Sequence, residues 1–289
     1  MRPEAAAKAR MARRRLGIGV VIALLLVAAV IVLPRALGGG RTVDQLIPLY
    51  DSANPNAWTT ACSKVNGAGG GSYIIADVDG AQGPGSSPTP AWQAVIDNCD
   101  RYGRAAVLGY VWTDYGAGGM ASLPSIEAQV RSWYSFYPGK IGGIFFDGAS
   151  DSVPETGASN EEFYRSLASY VHQKQGMGDK VVLNYGSNPA SGWMFDSKGP
   201  GNADIVVTFE GSYDTPGQNP YKQWVAASWE SKYAAHHFAA IVYGAPATAS
   251  TPQPSSACRS LMRQHVGYLY VGTTYSRLPP YFSAYVNEC

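Results

Sequence analysis

From Thr42 to its end the chain repeats one unit: a short apolar run, a loop rich in glycine and proline, and an amphipathic stretch. The apolar runs do not alternate with polar residues. Gly142-Gly-Ile-Phe-Phe before Asp147 and Ile205-Val-Val-Thr-Phe before Glu210 place β-branched and aromatic residues side by side, as in strands buried on both faces of a parallel sheet. Strands are expected at Gln45–Tyr50, Ser72–Val78, Ala105–Trp112, Ile141–Phe146, Lys180–Asn184, Ile205–Phe209, Ala240–Tyr243 and Tyr268–Thr273. Helices are expected at Asn56–Asn66, Pro90–Tyr102, Ser125–Tyr137, Asn160–Gln175, Tyr221–His237, Ser255–His265 and Pro280–Asn287, with Ala190–Lys198 supplying the remaining one. Strands alternating with helices make a parallel sheet. Eight such units over about 250 residues is the size of a closed barrel. An open doubly wound sheet also alternates in this way, but no glycine fingerprint stands in the context that would bind a nucleotide there. The expected fold class is α/β, a (β/α)8 TIM-type barrel.

Charge divides the chain in two. Residues 1–41 carry eight Lys/Arg and one Glu, whereas residues 42–289 carry 14 Lys/Arg and 20 Asp/Glu, a net charge of −6. The basic cluster Arg10, Arg13, Arg14 and Arg15 precedes Leu16–Leu33, a stretch with no charge that is long enough to span a bilayer. Positive charge on that side places the N-terminus in the cytoplasm. No small-x-small cleavage site follows, and Pro34–Arg41 has the composition of a tether. The expected organisation is a cytoplasmic tail, a membrane-spanning segment (16–33) and a tether in residues 1–41, then a barrel over 42–289 outside the cell. Secretion after cleavage of a signal peptide is the alternative. A mildly acidic folded part lacks the basic face that nucleic-acid binding needs. A monomer is expected.

Cys62, Cys99, Cys258 and Cys289 all fall in the exported part. The first two lie on consecutive expected helices and the last two on the final pair, so Cys62–Cys99 and Cys258–Cys289 bridges are expected in an oxidising compartment. No CxxC or His-rich spacing points to a metal site, and no cofactor is expected.

In a barrel every residue just past a strand faces one rim, where active sites are built. Those positions are Tyr50 and Asp51; Asp77 and Asp79; Tyr110, Trp112 and Asp114; Asp147; Asn184 and Tyr185; Glu210 and Tyr213; Tyr243; and Tyr275. Aromatic faces stack on the apolar faces of sugar rings, while carboxylates and amides bond their hydroxyls. Asp147 and Glu210 each close an apolar run, where a carboxylate is costly to desolvate. Together they form a candidate acid/base or acid/nucleophile pair for glycoside hydrolysis. For Asp147 the plainer reading is a helix cap or loop carboxylate; for Glu210 it is an ion pair, although Lys and Arg are scarce along the rim. Asp79-Gly80 and Asp114-Tyr-Gly also fit simple turns. Trp133, Trp224 and Trp229 fall inside expected helices and read as packing. His236 and His237 end an expected helix at the opposite rim, as partners of its dipole.

Pro48-Leu-Tyr50, Gly83-Pro-Gly85, Gly109-Tyr-Val-Trp-Thr-Asp-Tyr-Gly116, Gly143-Ile-Phe-Phe-Asp147 and Val207-Thr-Phe-Glu210 occur in order along the chain. In this the chain resembles the spherulin-4-like family, from about Ile47 to the C-terminus. The resemblance implies a (β/α)8 barrel and an endo-α-1,4-N-acetylgalactosaminidase activity on a galactosaminogalactan-like polysaccharide, a cationic polymer where partly deacetylated. It also implies that Asp147 and Glu210 are the family's acids after strands four and six. Where the family pattern often reads Asp-Glu, this chain has Asp147-Gly148. The glycine either removes a catalytic group or widens the cleft. A barrel that binds glycan without cutting it is the rival reading.

Overall fold

The computed structural model describes residues 43–289 apart from 51–52, 66–70, 81–82, 117–120, 152–159, 175–177, 197–200 and 251. The expected membrane span at 16–33 and rim residue Asp51 lie outside the described residues. Eight strands close into a barrel in sequence order: β1 (Asp44–Pro48), β2 (Ser72–Ala76), β3 (Ala105–Trp112), β4 (Ile141–Asp147), β5 (Lys180–Asn184), β6 (Ile205–Ser212), β7 (Phe238–Tyr243) and β8 (Tyr268–Val271). All neighbours are parallel, and closure comes from Asp44 and Gln45 pairing with Tyr268 and Leu269. A closed barrel leaves no strand edge unpaired, and its continuously apolar strands bury both faces.

The helices are α1 (Pro55–Lys64), α2 (Pro90–Tyr102), α3 (Leu123–Phe136), α4 (Asn160–His172), α5 (Pro252–Met262) and α6 (Phe282–Glu288). Three of them start on a side-chain cap followed by proline in the first turn. Asn54 Oδ1 accepts from the Asn56 and Ala57 amides, Thr89 Oγ1 from Trp92, and Ser122 Oγ from Ser125. Each cap satisfies amides that the helix leaves open, worth about 1 kcal/mol. The expected disulfides are present: Cys62–Cys99 joins α1 to α2, and Cys258–Cys289 ties α5 to the C-terminal residue.

Two expected helices do not form. Among the described residues, 190–196 yield a single 3-10 turn at Trp193–Phe195, and Tyr221–His237 yields three, at Tyr221–Gln223, Ser228–Lys232 and Ala235–His237. Distant partners claim the backbone and indole groups there. Asn188 Nδ2 donates to Val225 O (2.8 Å), Gln264 Oε1 accepts from the Ala226 amide (3.3 Å), and Trp229 Nε1 donates to Pro189 O (3.1 Å). These bonds take the place of an i to i−4 ladder, and tertiary context overrides the helical pattern. Trp224 and Trp229 still pack, with rings 5.1 Å from Phe209 and 5.8 Å from Phe238. His236 and His237 belong to the last 3-10 turn, where the His237 ring nitrogen Nδ1 bonds Asp204 O at 2.8 Å instead of facing a helix end.

Candidate active site

Strands β4, β5 and β6 are consecutive staves, so Asp147, Asn184 and Glu210 arrive side by side at the same rim. Asn184 Nδ2 donates to Asp147 Oδ1 at 2.6 Å and to Glu210 Oε2 at 2.7 Å. The Gly186 amide holds Asn184 Oδ1 at 3.0 Å, which turns the nitrogen toward the acids. With both bonds on one nitrogen, the two carboxylate oxygens can be no farther apart than the bonds laid end to end, about 5.3 Å. The outer oxygens are held as well: Tyr110 OH donates to Asp147 Oδ2 and Tyr275 OH to Glu210 Oε1, each at 2.7 Å. Tyr110 is fixed in turn by Trp133 of α3, whose Nε1 donates to Tyr110 O at 2.9 Å.

Burial pushes both carboxyls above their usual range. For Asp147 this is opposed by bonds from Tyr110, Asn184 and the Gly148 amide, which favour the ionised form. For Glu210 the charge of Asp147 adds to burial, against bonds from Asn184 and Tyr275. Asp147 thus has three bonds that favour its ionised form, whereas Glu210 has two and also faces the charge of Asp147. Burial and the neighbouring acids hold the hydroxyls of Tyr50, Tyr110 and Tyr275 far above the ordinary phenol range, so they remain donors.

The expected rim residues separate into groups. Tyr50 lies edge-on to Tyr110 (5.3 Å between ring centres) and stacks on Tyr275 (5.9 Å), and Tyr243 packs on Tyr275 (5.4 Å), forming an aromatic collar around the pair. Asp77 is buried near Tyr110 and its charge further raises that hydroxyl. Trp112 stands beside Asp147 in register. Tyr185 turns to Tyr164, 6.3 Å away, with its hydroxyl facing Asp151. Tyr213 turns to Tyr221, 5.3 Å away, Asp79 is exposed in a bend beside Gly85, and Asp114 sits in a turn after β3.

Gly148 packs against Trp112. A Cβ on it would come within 2.7 Å of the Trp112 ring, so the indole fills that space. Sequence reasoning missed Asp151, which accepts from the Ala190 amide and from Trp193 Nε1 and so ties the loop after β4 to the one after β5. It also missed Tyr115 beside Trp112. Neither closes an apolar run, and Asp-Tyr-Gly has the composition of an ordinary turn. Among the described residues no group of three or more His, Cys, Asp or Glu is placed to hold a metal ion, and no helix is long and apolar enough to cross a membrane.

Residues 44–289 match the model of a family described as spherulation-specific family 4. Spherulin-4 of Physarum polycephalum is 31% identical over 196 residues, which is 66% of this chain and 52% of that protein, so the chain spans about half the length of this curated relative. Among solved structures, Sph3 of Aspergillus clavatus in complex with GalNAc is similar with a TM-score of 0.68 and 20% identity, over 86% of this chain and 98% of that one. The chitinase RmChi1 of Rhizomucor miehei is similar with a TM-score of 0.51 and 10% identity, over 83% of this chain and 96% of that one. At these identities the likeness is one of fold, a closed barrel of parallel strands. The family match runs the length of the barrel, from Asp44 to Cys289, and the chain belongs to spherulation-specific family 4.

Proposed function

We propose that the barrel is a retaining glycoside hydrolase that cuts within an extracellular polysaccharide containing α-1,4-linked N-acetylgalactosamine. The observation that carries this reading is the Asp147–Asn184–Glu210 bridge, which holds one oxygen of each carboxylate on a single nitrogen, at 2.6 and 2.7 Å. Carboxyl groups about 5–5.5 Å apart suit a double displacement, whereas inversion needs a wider gap for water. The solved relative holding GalNAc supports the choice of sugar.

In the first step Glu210 gives its proton to the glycosidic oxygen as the bond to the anomeric carbon breaks. Asp147 attacks that carbon from the opposite face and forms a glycosyl ester. In an α-linked 2-acetamido sugar the acetamido group is cis to the leaving oxygen, so it cannot displace that oxygen from behind and the nucleophile falls to Asp147. Glu210, now ionised, takes a proton from water as the water attacks the same carbon and releases Asp147. Asn184 places one N–H on each acid through the cycle. The collar of Tyr50, Tyr110, Tyr243 and Tyr275 gives apolar faces to the sugar and keeps the acids partly dry. The segment 16–33 would anchor a monomeric enzyme to the outside of the membrane, or be removed on secretion.

The test is a reducing-end assay of residues 42–289 on galactosaminogalactan, with anomer detection by NMR. New ends with the α configuration in the first product, lost in Asp147→Asn, support the reading. Polymer that binds but yields no new ends makes the protein a glycan-binding barrel instead.

A further inference from the structure

We infer that Trp112 and Tyr115 form a second sugar-binding subsite beside Asp147, an aromatic corner that stacks on a pyranose ring next to the one being cut. The inference rests on the carbohydrate reading above and adds a place and a residue to it. Trp112 ends β3 in register with Asp147, half-buried, with its six-membered ring over the Gly148 backbone. Gly148 has φ +67°, and a side chain there would meet the indole. The ring therefore lies against bare backbone on its Gly148 side. The Tyr115 ring meets it edge-on, 5.3 Å between centres and 82° between planes, and is 59% exposed. Two aromatic faces at right angles, one lying and one upright, match the faces that protein sites offer to sugars.

The backbone that carries Tyr115 onto Trp112 is strained. Asp114 (φ 50°) and Tyr115 (φ 63°) are both left-handed without being glycine, and Gly116 (φ 91°) follows. Consecutive left-handed residues with a Cβ persist only where their surroundings force them, and such strain gathers at functional sites. Here Asn160, buried at the start of α4, does the forcing. Its Nδ2 donates to Tyr115 O (3.2 Å) and to Ser150 O (2.9 Å), and the Gly116 amide donates to Thr113 O (3.0 Å). The turn is thus tied to the loop that follows Asp147, and its one large side chain is turned out to solvent. A turn that served only to connect would relax its strain with glycine or asparagine and would have no need to present a tyrosine.

The experiment measures binding of α-1,4-linked N-acetylgalactosamine oligosaccharides to the exported region carrying Asp147→Asn, so that binding is read without turnover. Adding Tyr115→Ala should weaken the oligosaccharide about tenfold, the scale of one aromatic contact. Free N-acetylgalactosamine should bind as before, and Tyr115→Phe or Tyr115→Trp should restore the oligosaccharide affinity. Tyr115→Gly should lose the same affinity while its melting temperature stays level or rises, which separates ligand contact from folding. In the otherwise unmutated enzyme Tyr115→Ala should raise KM with a smaller effect on kcat. Unchanged oligosaccharide affinity in Tyr115→Ala and Tyr115→Gly overturns the subsite, as does a loss that Phe and Trp do not restore. No oligosaccharide binding by the parent also overturns it. Affinity that depends on Tyr115 in a protein that never cleaves the polymer would instead remove the hydrolase reading and leave the subsite standing.

Discussion

Asp147 and Glu210 bond to a single nitrogen, Asn184 Nδ2, at 2.6 and 2.7 Å, one to each of its hydrogens. The amide cannot turn over without breaking both bonds and the one from the Gly186 amide to its oxygen. The acid spacing is therefore set by three neighbouring strands and by one side chain, which the Gly186 amide after β5 keeps in place.

Asp147→Asn and Glu210→Gln should each lower polymer cleavage by at least about a thousandfold, the scale of losing a nucleophile or a general acid. Both carboxyls are held above their normal range by burial, so neutral amides should fold at least as well. Thermal unfolding of both variants at pH 7 tests the second half: a large loss of stability would make these acids part of the scaffold.

The pH–rate profile should be bell-shaped, with an acidic limb where Asp147 must ionise and an alkaline limb where Glu210 must stay protonated. The Tyr275 bond lowers the Glu210 carboxyl, so Tyr275→Phe lets it rise and moves the alkaline limb to higher pH. Tyr110→Phe removes a bond that lowers Asp147, and moves the acidic limb to higher pH. Rate profiles of the two variants should therefore change at opposite limbs. A shift of the same limb in both would reverse the assigned roles.

Gly148→Ala should cost about 2 kcal/mol, because φ is +67° and the new Cβ meets the Trp112 ring at 2.7 Å. Gly148→Glu, which writes the family's second acid into this chain, should be no more active and at least as unstable. Calorimetry with a reducing-end assay decides it. A gain in rate would mean that the glycine marks a lost catalytic group.

Glu230 is fully buried in the 3-10 turn Ser228–Lys232, where its Oε1 accepts from the Ala227 amide at 3.0 Å and its carboxyl faces Thr208 on β6. Burial pushes it up to about 7. A carboxyl raised on folding adds stability that is complete below its unfolded value and fades as pH climbs through the folded one. The protein should therefore lose on the order of 2 kcal/mol from this group between about pH 4.5 and pH 8. Glu230→Gln keeps an acceptor for Ala227 and offers a donor to Thr208. It should unfold at a higher temperature than the parent at pH 8 and at nearly the same one at pH 4. Equal shifts at both pH values would rule out the titration.

The barrel was legible because each strand is an unbroken apolar run followed by a loop rich in glycine and proline and an amphipathic stretch. Those signals are local, and the expected strands overlap all eight observed ones. The helices expected at Ala190–Lys198 and Tyr221–His237 were not legible as 3-10 turns, because Asn188 and Gln264, far off in the chain, take their backbone groups. Tyr185 and Tyr213 were expected at the rim like Tyr110 and Tyr275, and the structure packs them on Tyr164 and Tyr221 instead.

By itself the sequence determined that the strands are parallel and buried and that Asp147 and Glu210 lie at one rim, since these follow from residue type and spacing along one element. Tertiary structure decided the rest. Closing β4, β5 and β6 into adjacent staves put one amide between two acids, and packing set Trp112 where a Cβ on residue 148 would stand. Distances across strands depend on register and on which side chain reaches a shared space first, and neither is written in any single stretch of chain.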